Sequence, residues 1–125
     1  MAKVISFISR KGGTGKTTNA INLATMLDNL GHKVAFLETD TNYTISTLRK
    51  LEVYKSGANA DSLFDVISSN DEEVADQIRS LQAQKKLDYI IVDSAGKTTD
   101  EGIKKLCLVS NAVVVPSSLT HTDLL

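Results

Sequence analysis

The stretch Lys3-Val4-Ile5-Ser6-Phe7-Ile8-Ser9-Arg10-Lys11-Gly12-Gly13-Thr14-Gly15-Lys16-Thr17-Thr18 decides the fold. Val4, Ile5, Phe7 and Ile8 lack the clean alternation of a half-exposed strand, which fits a strand buried on both faces, as in a parallel sheet. Glycines 12, 13 and 15 end that run. From Lys16 the spacing becomes helical: Ala20, Leu23, Ala24, Leu27 and Leu30 share one face, and Gly31 stands where a glycine cap belongs. A glycine loop between a buried strand and a helix N-terminus suits an anion, because unpaired N–H groups and the helix dipole meet there. Without Cβ atoms, Gly12, Gly13 and Gly15 let successive N–H groups, that of Thr14 among them, turn toward one phosphate. Lys16 then supplies positive charge to the β and γ phosphates, and Thr17 a hydroxyl ligand for Mg²⁺.

Outward from this loop, Val34, Ala35, Phe36 and Leu37 form a second apolar run, so residues 3–38 read as a right-handed βαβ unit. The polar Glu38-Thr39-Asp40-Thr41-Asn42 that follows is a candidate functional loop. Asp61 is placed to cap a helix carrying Leu63, Phe64 and Ile67, and Asn70 one carrying Val74, Ile78 and Leu81. Tyr89, Ile90, Ile91 and Val92 make a third strand ending in Asp93-Ser94-Ala95-Gly96. Ile103, Leu106 and Cys107 then mark a helix, and residues 112–115 a fourth strand closed by Pro116. The order β-α-β-α-α-β-α-β predicts an α/β fold with a mostly parallel sheet and flanking helices. Residues 1–125 read as a single domain, expected to be truncated on its C-terminal side, because Thr122 and Asp123 look ready to start a helix that would cover the last strand.

Composition agrees with one globular domain: 125 residues, 42% hydrophobic and 23% charged. Fourteen basic against fifteen acidic side chains leave no global footprint for nucleic acid or an anionic membrane. The distribution is uneven, with five basic and one acidic side chain in residues 1–37, the end that holds the glycine loop. One cysteine excludes an intrachain disulfide, and no stretch nears the roughly 20 apolar residues of a membrane span. A cytoplasmic protein is expected. Cys107, four residues after Ile103, reads as a core side chain, and Lys85-Lys86 and Lys104-Lys105 as solvated helix faces.

The strict G-x-x-x-x-G-K-[ST] pattern fails because its first glycine falls at Arg10. Lys11, paired glycines, Lys16 and Thr17 instead match [KR]-G-G-x-x-K-[ST], and on these residues the chain resembles the ParA/MinD-type P-loop ATPases, most closely the ParA-type partition ATPases. The resemblance runs in order along the chain. Residues 3–18, Thr18 included, look like the first strand and variant loop, residues 37–42 like the switch, residues 88–96 like the Walker B segment, and residues 113–123 like the nucleotide-base loop.

Asp93, at the carboxyl end of a central strand, is suited to hold the Mg²⁺ shell through water. The resemblance implies that Lys11 reaches a partner's nucleotide across a two-fold interface, that the Gly96 amide senses the γ-phosphate, and that Pro116 belongs to the loop over adenine and ribose. Asp40 keeps the position that orients or deprotonates the attacking water. Two departures stand out: the usual D-x-D-P-Q here reads Glu38-Thr39-Asp40-Thr41-Asn42, and the base loop lacks its later prolines. The implied function is a Mg-ATP-dependent switch with slow, partner-stimulated hydrolysis. An ATP-dependent homodimer would bind DNA nonspecifically, through a surface outside residues 1–125, and answer to a ParB-type centromere-binding partner in plasmid or chromosome segregation, with no membrane contact. The competing readings are a MinD-like or conjugation-accessory ATPase, a tyrosine-kinase-like relative, and an interaction module that binds nucleotide without turnover.

Overall fold

The computed structural model describes residues 1–8, 16–39, 64–70, 72–94 and 100–115, with the backbone alone at 16, 17 and 100. The elements in chain order are β1 (Lys3–Ile8), α1 (Lys16–Asn29), β2 (Val34–Glu38), β3 (Asp65–Ser68), α2 (Val74–Ala83), β4 (Tyr89–Ser94), α3 (Asp100–Val109) and β5 (Ala112–Val114). Among the described residues every strand pair is parallel, in the order β3-β2-β4-β1-β5. The expected α/β architecture with a parallel sheet and flanking helices is therefore the one observed.

Strand alternation divides the core in two. Phe7, Val34, Phe36 and Ile91 pack with Ala20, Ala24 and Leu27 of α1 on one face. Val4, Ile8, Leu37, Ile90 and Val92 pack on the other with Val74 and Ile78 of α2 and Leu106 of α3. Both faces of β1, β2 and β4 are thus covered, which is why their sequences read as continuous apolar runs. Full burial of an Ile or Phe such as Ile91 or Phe36 contributes about 1.5–3 kcal/mol each.

Helix α1 ends as its glycine foretells. Gly31 has φ +91, the His32 N–H donates to the Leu27 carbonyl at 3.1 Å, and the Gly31 N–H donates to that of Asp28 at 3.0 Å, the two bonds of a Schellman motif. Leu30 lies beyond the last helical residue and is exposed, so the expected apolar face stops at Leu27. The N-cap of α2 is Glu73, with no side-chain cap bond, and Asn70 instead secures the turn ahead of it. Its Oδ1 accepts the N–H groups of Glu72 and Glu73 at 3.0 and 2.8 Å, and its carbonyl accepts that of Val74 where α2 begins.

Other expectations fail as well: Lys85 and Lys86 lie past the end of α2 and not on a helix face. Phe64 and Ile67 do not share a helix: residues 65–68 are strand β3, with Phe64 and Val66 packed on the α1 side and Ile67 on the opposite side, a period of two. Pairing with β2 decides between two patterns that the short stretch Phe64-Asp65-Val66-Ile67 fits equally well. Tyr89–Ser94 is accordingly the fourth strand among the described residues and Ala112–Val114 the fifth. Cys107 is exposed, because Leu106 is the buried residue of α3, with Ile103 and Val109 half-buried against the same core. The edge strand β5 exposes all three of its side chains, and Asn111 ties its start to β1: its Oδ1 accepts the Val4 N–H and its N–H donates to the Val4 carbonyl, both at 2.8 Å.

Candidate functional site

Strand β1 leads toward residues 9–15, which lie outside the described residues, and the chain returns as α1 at Lys16. Lys16 and Thr17 therefore occupy the first two positions of a helix packed on the sheet, where unpaired N–H groups collect. Thr18 sits in the same first turn with an exposed side chain. Lys11, Gly12, Gly13, Thr14, Gly15, Asp40, Gly96 and Pro116 fall outside the described residues.

Asp93 is the best described of the expected site residues. It lies inside β4, one residue before the strand ends, 1% exposed, paired in register with Phe7 of β1 and Glu38 of β2. Side chains directly opposite in neighbouring parallel strands point to the same face. Asp93 shares its face with Tyr89 and Ile91, which pack toward α1, so its carboxylate lies on the side of the sheet that carries that helix. The Thr39 N–H donates to the Asp93 carbonyl at 3.1 Å, which carries the β2–β4 ladder one residue past β2, to the residue before Asp40.

Glu38, whose role the sequence leaves open, is also 1% exposed and follows Val34 and Phe36 on the α1 face. Ser68 of β3 pairs in register with it, and the Ser68 hydroxyl donates to Glu38 Oε1 at 3.3 Å. One row, Ser68, Glu38, Asp93, Phe7 and Val114, thus crosses all five strands at their carboxyl ends. Glu38 and Asp93 stand in one row on neighbouring strands, a juxtaposition of acids that a bound cation favours. The donors in question, the carboxylates of Glu38 and Asp93, are oxygens, the kind that suits a hard ion such as Mg²⁺. The residues fit the ion.

Sequence reasoning missed Ser68. No motif contains it, and only the placement of 65–68 as a strand beside β2 brings it to Glu38.

An AAA domain family matches residues 2–95, from the strand before the glycine loop through the Asp93 strand. The chain belongs to that family. It is a P-loop protein of the ParA/MinD type, as the variant loop led one to expect. The AAA domain is 26% identical to protein VirC1 of Rhizobium radiobacter over 122 residues, 98% of this chain and 52% of the relative. Among solved structures it is similar to a plasmid partition protein from Borrelia burgdorferi, with TM-score 0.73 at 24% identity, over 99% of this chain and 70% of that one. It is also similar to the septum site-determining protein MinD complexed with Mg-ADP from Pyrococcus horikoshii, with TM-score 0.69 at 22% identity, over 99% and 61%. The AAA domain spans about half the length of the VirC1 proteins it matches. Among the described residues no helix is long and apolar enough to cross a membrane.

Proposed function

We propose that the AAA domain is a Mg-ATP-dependent switch ATPase of the ParA partition type. The observation that carries the reading is Asp93, buried at the carboxyl end of β4 beside β1 and on the face of the helix that the phosphate loop opens. This is where ligands bind in open parallel sheets. A Mg-ADP complex of a similar MinD structure favours the same ligand here.

In this reading the backbone N–H groups of residues 12–15 and the α1 N-terminus hold the phosphates, and Lys16 neutralises the β and γ oxygens. Thr17 and Asp93 hold Mg²⁺, which spreads charge away from the phosphates when bound. Asp40 orients the attacking water and accepts its proton. Thr18, Gly96 and Pro116 complete the nucleotide contacts, and Lys11 reaches the nucleotide of a second copy. Hydrolysis is slow because the task is positioning and charge neutralisation, and these wait on a stimulating partner. Residues 1–125 form a single cytoplasmic P-loop unit of a longer domain. Its ATP-bound homodimer engages DNA nonspecifically through a surface beyond these residues, and a ParB-type partner resets it.

The test is solution molar mass in Mg-ATP and in Mg-ADP, with Asp40→Ala to suppress turnover and Lys16→Ala as the non-binding control. Phosphate release is followed in parallel. A dimer in ATP alone with slow release is expected. Tight ATP binding with no release, alone or with DNA, points instead to a nucleotide-binding interaction module, the reading that Glu38 and Thr41-Asn42 favour.

A further inference from the structure

We infer that Ser68 is a positioning residue for the metal side of the nucleotide site, acting through Glu38. This deepens the Mg-ATP reading and rests on it. Glutamate has one more rotatable bond than aspartate, so a carboxylate at position 38 has more freedom to lose before it can serve a fixed ligand. The structure removes that freedom from the side. Ser68 stands in the same row on the next strand, and its hydroxyl donates to Glu38 Oε1 at 3.3 Å. Asp93 stands in the same row on the other flank, so Glu38 is bracketed between a hydroxyl donor and the carboxylate assigned to Mg²⁺.

The backbone reinforces the arrangement. The Ser69 N–H donates to the Glu38 carbonyl at 2.8 Å and the Thr39 N–H to the Asp93 carbonyl at 3.1 Å, which locks both flanking strands at this level. Glu38 is itself 1% exposed, where water does not replace a lost donor, whereas Ser68 is exposed and on the edge strand. An exposed edge serine whose hydroxyl is directed at a buried carboxylate does more for that carboxylate than for the core. Ser68 therefore sets how tightly Mg²⁺ is held beside Asp93 and touches neither nucleotide nor ion.

The test compares Ser68→Thr with Ser68→Val, near-isosteric β-branched residues that differ in the hydroxyl. The protein is titrated with Mg²⁺ at fixed fluorescent ADP analogue, and the half-saturating Mg²⁺ is read beside the melting temperature. Ser68→Val should raise half-saturating Mg²⁺ by about three- to tenfold, the worth of one ordinary hydrogen bond, while Ser68→Thr stays within about twofold of the parent. Ser68→Val should also melt somewhat below Ser68→Thr, because buried Glu38 loses a donor in it, so the Mg²⁺ midpoints are compared at a temperature where both variants are fully folded. Equal Mg²⁺ midpoints for Ser68→Val and Ser68→Thr overturn the inference, whatever the melting temperatures do. A parent protein that binds no nucleotide at saturating Mg²⁺ removes the Mg-ATP reading and this inference with it. A parent that binds, with variants that match each other, removes this inference alone.

Discussion

Replacing Gly31 by Ala tests how α1, the helix that opens at Lys16, is held at its far end. Gly31 has φ +91 and an added Cβ meets nothing within 4 Å, so the cost comes from the residue's own backbone and not from neighbours. A left-handed conformation costs an L-residue about 1–2 kcal/mol, and the stiffer unfolded chain of the alanine variant returns about 0.4–1 kcal/mol. The net loss is about 1 kcal/mol, a fall of a few degrees in melting temperature for a domain of this size. Lys85 supplies the opposite perturbation. It holds φ 55 at the end of α2 without being glycine, its N–H donating to the Gln82 carbonyl at 3.2 Å. Lys85→Gly removes that strain at the cost of chain entropy and should stabilise by up to about 1 kcal/mol. Urea unfolding followed by circular dichroism, with both variants at matched m-values, reads the two signs together. A neutral or stabilising Gly31→Ala refutes the reasoning, for then the Schellman geometry does not constrain the fold.

Asp93→Asn should weaken Mg²⁺-dependent ADP binding at least about tenfold, as a lost ion ligand must, while leaving a cooperative melt; unchanged Mg²⁺ dependence would remove Asp93 from the metal site. Ile91→Ala, in the middle of β4 with no exposed surface, should cost about 2–5 kcal/mol in denaturant titration, and a loss under about 1 kcal/mol would mean that α1 does not press on the sheet there. Asn111→Ala leaves the Val4 N–H without its acceptor and should cost about 1–3 kcal/mol, with faster amide hydrogen exchange at Val4 than in the parent.

Much of the fold is legible in the order of residues alone, because β1, β2 and β4 are covered on both faces and α1 carries its stop signal at Gly31. What misleads is short or marginal pattern. Phe64 and Ile67 fit a helical spacing as readily as a strand until β2 is there to pair with. Cys107 is four residues from Ile103 yet turned outward, since the buried stripe of α3 runs through Leu106. At the site, Asp93 can be placed because a carboxylate closing a buried strand is costly to desolvate unless a cation or a set of donors meets it there. The surroundings of Glu38 could not be placed, because its hydroxyl donor comes from a strand thirty positions away. Only the β3-β2 adjacency joins them.

Val34 and Tyr89, then Phe36 and Ile91, then Glu38 and Asp93 are successive rungs of one ladder on the α1 face. Stability and chemistry therefore occupy different rungs of the same two strands. The top rung can exchange aspartate for glutamate while the lower two stay packed, so this chain can vary its acid at position 38 without relaying its core. The same arrangement forbids drift. A one-residue slip of β2 would turn Leu37 to α1 and Glu38 to the opposite face, breaking two parallel ladders at once and losing core and site in a single step. Pairing register, more than any one side chain, is what such a domain has to inherit intact.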